Sequence, residues 1–240
     1  MTTATPPVLA DYGDSAVMVT VDSADPERRR RRIVQLRDAF LAHRPHGVTD
    51  VVSGLESMLI EFDPLVTAPE HLLPILELVD EVAADAATAM GRLIDLPVVF
   101  DTETGPDLES VAHELGASVD DLVRALTAHE ITIVLLAAAM APMMSGVVLP
   151  APVARQARPR TDVPPGSIML AGANAIIQPF PGPTGWRVVG RTPLTIVDIH
   201  RDPPVAFGPG DRFRLRAIDA SEADALAGGL LGDPARRVTP

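Results

Sequence analysis

With 240 residues, 47% of them hydrophobic and 22% charged, the chain has the make-up of a globular protein with room for one large or two small domains. It contains no Cys and no Lys, which excludes disulfides, thiolate zinc sites, a cysteine nucleophile, a Schiff-base lysine and a Walker-type P-loop. The formal net charge of −12 argues against nucleic-acid binding, and no apolar run reaches membrane-spanning length.

The N-terminus, MTTATPPVLADYGDS, has neither a basic start nor an apolar core, so no secretory signal is read and a cytoplasmic location is expected. Residues 8–9 and 16–21 read as a strand pair around the turn residues Tyr12-Gly13-Asp14. Residues 26–43 read as a helix, with Asp25 as N-cap and Ile33, Leu36, Phe40 and Leu41 on one face. The five-arginine run 28–32 falls in its first turns. Cations there oppose the helix dipole, so a solvated face is preferred over an anion or nucleic-acid patch. Residues 48–52 and 57–62 read as a hairpin, and 68–90 as a long helix with Leu72, Leu76, Val79, Val82, Ala83 and Ala86 facing inward. With 93–100 as a closing strand, this gives the split βαβ order of a ferredoxin-like domain.

Residues 107–128 give two short helices whose text, DLESVAHELGASVDDLVRAL, imitates a DNA-binding helix-turn-helix. The second helix offers Asp120, Asp121 and a single Arg124, the wrong groups for reading bases and phosphates. A packed helical hairpin is expected instead. From Ile131 the chain is strand-like and rich in Pro and Gly, as in a compact β-barrel, and the tail from Asp219 reads as a frayed helix with a loose end. The expected divisions are 1–92, an α+β domain; 93–218, a β-barrel domain with the helical hairpin inserted; and 219–240, a flexible tail. Residues 151–240 hold eleven Arg against eight acids, so the acidic excess belongs to 1–150, as suits two domains with different jobs.

Of the six His, His43, His46, His71, His113 and His129 match no metal-ligand spacing on a common face, and His200 sits in the polar loop 198–203. No G-x-S-x-G elbow occurs. The richest chemistry lies in 155–218. Three apolar runs, 168–170, 175–177 and 188–189, are punctuated by Pro-Pro-Gly, Pro-Gly-Pro and Thr-Gly-Trp, the spacing of strands joined by tight turns. Arg155, Arg158 and Arg160 precede Pro164-Pro165-Gly166-Ser167, whose amides and hydroxyl suit a small anion nest; Gly185-Trp186 and Arg191-Thr192 follow after two strands. A guanidinium clamps carboxylate or phosphate in bidentate fashion, and Trp offers a flat apolar wall. On chemistry alone two readings stand level: a ligand clamp, or Trp186 in the core with the arginines on its rim.

Read in order, Tyr12-Gly13-Asp14-Ser15-Ala16, Gly47-Val48, Phe62-Asp63-Pro64, Leu96-Pro97-Val98, Gly105-Pro106-Asp107-Leu108, Pro159-Arg160, Gly166-Ser167, Ala171-Gly172, Gly185-Trp186, Thr192-Pro193 and Gly210-Asp211 form a pattern. It resembles the family of 5-oxoprolinase B subunits, also labelled allophanate hydrolase subunit 1, which includes the sporulation kinase inhibitor KipI. The resemblance implies an α+β fold: a small ferredoxin-like N-terminal domain followed by a cyclophilin-like β-barrel. It further implies a non-autonomous component that pairs with a homologous C subunit. With the A subunit, such complexes hydrolyse 5-oxo-L-proline to L-glutamate, using ATP with Mg in the assembled complex and no metal bound by this chain. Related barrel pairs handle carboxyl transfer to urea.

The resemblance places Arg155, Arg160, Ser167, Trp186 and Arg191 in a cleft as substrate or anion positioners and identifies no general base. The sequence also departs from the family. The usual Gly-Phe-x-Pro-Gly-Phe-x-Tyr-Leu loop reads Ala137-Ala138-Ala139-Met140-Ala141-Pro142-Met143-Met144-Ser145, a Gln-Thr pair reads Asn174-Ala175, a double Gly reads Thr184-Gly185, and a His-Thr reads Leu126-Thr127. Two other readings therefore stand beside the enzyme component: a KipI-type regulator that binds and inhibits a histidine kinase, and a non-catalytic scaffold paralogue.

Overall fold

In the computed structural model, which describes residues 6–43, 45–85 and 91–233, the chain divides into two units, Met1–Ala89 and Met90–Pro240. The first contains β1 (Val8–Asp11), β2 (Ala16–Thr20), α1 (Pro26–His43), β3 (Val48–Ser53), β4 (Ser57–Phe62) and α2 (Pro69–Asp85). Its four strands form an antiparallel sheet in the order β1-β2-β4-β3. Period-two alternation turns Val17, Val19, Met58, Ile60 and Phe62 inward, and the helical period of α1 brings Ile33, Leu36 and Phe40 into the same core with Leu72 and Leu76 of α2. Each such side chain contributes about 1.5–3 kcal/mol over leaving it exposed. Leu41, expected on that face, is 45% exposed, because it lies a third of a turn past Phe40. Arg29 bridges to Glu56 at 2.9 Å. The inward positions expected at Val79, Val82, Ala83 and Ala86 lie outside the residues whose side chains are described.

The strand expected to close this sheet, 93–100, does not join it. The edge beside β2 is filled by β1, whose hairpin forms locally through Tyr12 N–H donating to the Ala16 carbonyl at 2.9 Å, with Gly13 at φ +73°. The split βαβ order is thus completed from the front of the chain.

The second unit starts with β5 (Leu93–Val98), which pairs in parallel with β13 (Arg212–Ala217) along its whole length. Between them come α3 (Leu108–Glu114), α4 (Val119–Ala128), β6 (Glu130–Leu136), β7 (Pro142–Ser145), β8 (Arg160–Val163), β9 (Ser167–Ala171), β10 (Asn174–Ile177), β11 (Gly182–Thr184) and β12 (Arg187–Arg191). Seven strands run β12-β9-β10-β7-β6-β13-β5, while β8 and β11 form a separate ribbon. The sheet curls into a half-barrel until its two edges meet: Val99 and Arg191 exchange both backbone hydrogen bonds, at 2.9 and 3.0 Å. Gly190 permits this approach, since a Cβ there would lie 2.8 Å from the Val99 carbonyl oxygen.

Leu108 and Val111 of α3 and Leu122 and Leu126 of α4 are buried in the barrel core with Ile133, Leu170 and Phe213. Ser118 caps α4, accepting from the Asp121 amide at 3.1 Å, and Arg124 is paired with Asp121. The helix-turn-helix look-alike is therefore a packed hairpin. Of the expected flexible tail 219–240, residues 234–240 lie outside the described residues, while 219–233 are packed on the barrel. After α5 (Ala220–Leu226), Leu231 is fully buried in the barrel core and Thr195 brackets the strap, donating to Gly229 at 2.8 Å and accepting from Leu231 at 2.9 Å. Among the described residues no helix is long and apolar enough to cross a membrane.

Candidate functional site

Where the barrel edges meet, three turns crowd the end of β12. The Pro164-Pro165-Gly166 turn docks on Thr192, with the Thr192 amide donating to the Gly166 carbonyl at 2.9 Å. Only glycine fits there: φ is +80°, and a Cβ would fall 2.3 Å from the Thr192 carbonyl oxygen. Pro179 and Phe180 border the same hollow, and α5 forms a further wall. The result is an open groove of about 540 Å³ with Arg191 as the one cation among the described residues that line it. Fixed proline φ angles keep this rim stiff.

Arg191 is half-buried, and among the described residues its guanidinium makes no hydrogen bond or ion pair. Its charge is nonetheless felt nearby. The exposed Asp101 carboxyl is held below its ordinary value chiefly by the Thr104 amide at 2.7 Å, with the Thr104 hydroxyl and, more weakly, Arg191 adding to the effect. A guanidinium without a side-chain partner has the chemistry to pair in bidentate fashion with a carboxylate or phosphate.

The other expected positioners have different occupations. Arg160 closes on Asp107, its Nη2 donating to Oδ1 at 2.7 Å and its Nε to Oδ2 at 3.3 Å. Asp107 is 5% exposed and also accepts from the Val188 amide at 2.9 Å. Burial pushes the Asp107 carboxyl up, but Arg160 and the Val188 amide outweigh it and hold the group below the usual carboxylate range. Asp107 in turn raises Arg160 further. Arg160, expected to grip an anion, thus already holds one belonging to the fold.

Ser167 is fully buried, and its hydroxyl donates to the Pro164 carbonyl at 2.8 Å. The Gly166 amide donates to Gln178 at 2.7 Å, so the expected anion nest is closed from within. Trp186 is half-buried on Val163, Met169 and Val188, and the exposed Arg155 lies over its ring at 5.8 Å. Such an exposed cation–π contact contributes about 0.5–1 kcal/mol. Trp186 thus packs on this apolar cluster with Arg155 on its exposed side. Ser167 and Arg191 stand opposite each other in register on β9 and β12, yet only Arg191 of the five lines the groove.

Sequence reasoning missed Asp107 and Asp224. An acid just before a helix reads as an N-cap, but the Asp107 side chain makes no cap hydrogen bond to α3. Asp224 lines the groove from α5, in a stretch read as loose. Among the described residues no group of three His, Cys, Asp or Glu is placed to hold a metal ion.

The family described as carboxyltransferase domain, subdomain C and D, matches residues 7–207. The chain is 27% identical over 231 residues to the 5-oxoprolinase B subunit of Bacillus subtilis (strain 168), spanning 90% of this chain and 95% of that protein. Among solved structures, TTHA0988 superposes with a TM-score of 0.74 at 26% identity over 85% of this chain, which spans only 40% of that longer chain. Kluyveromyces lactis urea carboxylase superposes with a TM-score of 0.70 at 18% identity, over 92% of this chain and 22% of its own, a likeness of fold alone.

Proposed function

We propose that this chain, which belongs to the family of the carboxyltransferase domain, subdomains C and D, is the B subunit of a 5-oxoprolinase-type complex that opens 5-oxo-L-proline to L-glutamate with ATP. Relatives named as 5-oxoprolinase B subunits support the role in a larger complex. The observation that carries the reading is the unpaired Arg191 in its groove: it suits the carboxylate that 5-oxoproline and glutamate share. Arg191 would hold that carboxylate, and the proline rim would fix the ring and limit the water around it.

ATP and Mg do not fit this chain. Among the described residues the groove offers a single guanidinium, the Gly166 and Thr192 amides are hydrogen-bonded within the fold, and no lysine exists to pair with phosphates. We assign them to the partners, the homologous C subunit with its A counterpart, and derive no step through them. The use of ATP accords with a cytoplasmic location. Among the described residues Asp224 is the one acid lining the groove, and it is exposed to water.

A regulatory reading of the KipI kind draws on one observation. In the tip between β6 and β7, Ala139 and Met140 have φ of 55° and 62°, and Met140 is 39% exposed. Consecutive non-glycine residues in the left-handed region store strain of the kind kept at binding sites. Co-expression with the C and A subunits separates the two. A stable complex releasing glutamate from 5-oxoproline only with ATP supports the enzyme role. A silent complex, together with inhibition of a histidine kinase by the free chain, supports the regulator.

A further inference from the structure

We infer that the groove is a recognition site for a small carboxylate that also carries an N–H donor, with Arg191 taking the carboxylate and Asp224 of the C-terminal strap taking the N–H. This rests on the reading of the groove above and adds what it selects.

The strap lies beyond residue 207, where the family match ends, yet it is a fixed part of the barrel. Leu231 is fully buried, and a Cβ on Gly232 would fall 2.6 Å from the Ala206 carbonyl oxygen. Asp219 caps α5 by accepting from the Glu222 amide at 2.8 Å, and Glu222 pairs with Arg216 of β13 at 2.7 Å. Held at both ends, α5 presents Ala223 and Asp224 to the groove, with Ala227 just past its end beside them. Ala223 and the C-cap residue Ala227 flank Asp224 on the groove, and their small side chains leave the space open around a single carboxylate.

Arg191 and Asp224 are therefore opposite charges lining one hollow. Among the described residues neither side chain has a hydrogen bond or ion pair, and they do not pair with each other. Around them the walls are apolar, with Pro164, Pro179, Phe180 and Ile196. A ligand that satisfies both must be negative at one end and a hydrogen-bond donor at the other, over a compact apolar body. Lactam acids and amino acids have that form. Polyphosphates do not, because Asp224 would repel their second charge.

The test is calorimetric titration of the full chain alone with 5-oxoproline and with cyclopentanecarboxylate, which keeps ring size and carboxylate and lacks the N–H. Wild type should bind 5-oxoproline about fivefold more tightly, the scale of one net hydrogen bond to an exposed acceptor. Asp224→Ala should bring the two ligands level. Arg191→Gln should weaken both about tenfold or more, as loss of a charge-assisted bond does. Asp224 is exposed, so its variant keeps the fold; Trp186 fluorescence melting checks the Arg191 variant.

Equal wild-type affinities, a preference that survives Asp224→Ala, or no binding to the free chain each overturns the inference. An active complex whose free chain of this kind ignores both acids overturns this inference alone. The expected ratios in a chain whose assembled complex is silent overturn the proposed function alone.

Discussion

Arg160→Ala removes one partner of the Asp107 ion pair and so separates a structural arginine from a ligand-binding one. Breaking a buried pair from one side typically costs about 3–5 kcal/mol, whereas an exposed pair is worth about 0–1 kcal/mol. Here the Asp107 side chain is 6% exposed and the Arg160 side chain 41%, so water screens one end of the pair only. Asp107 keeps its Val188 amide donor at 2.9 Å, which spares part of the loss. The expected destabilisation is about 2 kcal/mol, or about 4–8 °C in melting temperature for a unit of this size. The chain has a single tryptophan, Trp186, two residues before Val188, so its fluorescence during melting reports this unit directly. Carboxylate binding, corrected for the folded fraction, should be unchanged. An unshifted melt combined with lost binding would refute the reasoning and return Arg160 to the site.

Asp107 also gives a pH signature. Its carboxyl ionises more readily folded than unfolded, so its stabilisation is complete above the ordinary value of 3.8 and is lost as pH falls through the lower folded value. Acid melts of wild type should lose more stability below that point than those of Asp107→Asn; parallel curves would contradict the shift. Gly166→Ala should lower the melting temperature through its φ of +80° and its clash with Thr192 and weaken carboxylate binding, while Gly185→Ala, with open space around it, should stay within about 0.5 kcal/mol of wild type in the same melts. Leu231→Ala should cost about 2–5 kcal/mol in urea unfolding of the barrel unit, against almost nothing for a free tail. Ala139→Gly should be neutral or stabilising by up to about 1 kcal/mol in thermal melts, because it relieves a left-handed alanine.

Local patterns were readable where the chain decides locally. Helix α1 follows from Asp25 and the spacing of Ile33, Leu36 and Phe40, and the α3–α4 hairpin from apolar faces and Ser118. Pairing over distance was not. The segment LIDLPV reads as a strand, but nothing in it announces that β13 is its partner, so the sheet it joins is not legible from the segment alone. The same limit governs the site. Five residues of suitable chemistry were visible, yet which arginine stays open depends on Asp107, 53 residues before Arg160, and on the register that sets Ser167 against Arg191. The strap had a signal that composition hid: Leu230-Leu231 set between Gly228-Gly229 and Gly232 is an anchor framed by turns, and it brings Asp224 to the groove.

The most direct measurement is ATP-dependent glutamate release by complexes assembled with Arg191→Gln or Arg160→Ala in this chain. The account predicts that Arg191→Gln assembles normally and loses about tenfold to a hundredfold in kcat/KM, the worth of one charge-assisted contact, while Arg160→Ala retains turnover in proportion to its folded fraction. Full activity from an intact Arg191→Gln complex would contradict it.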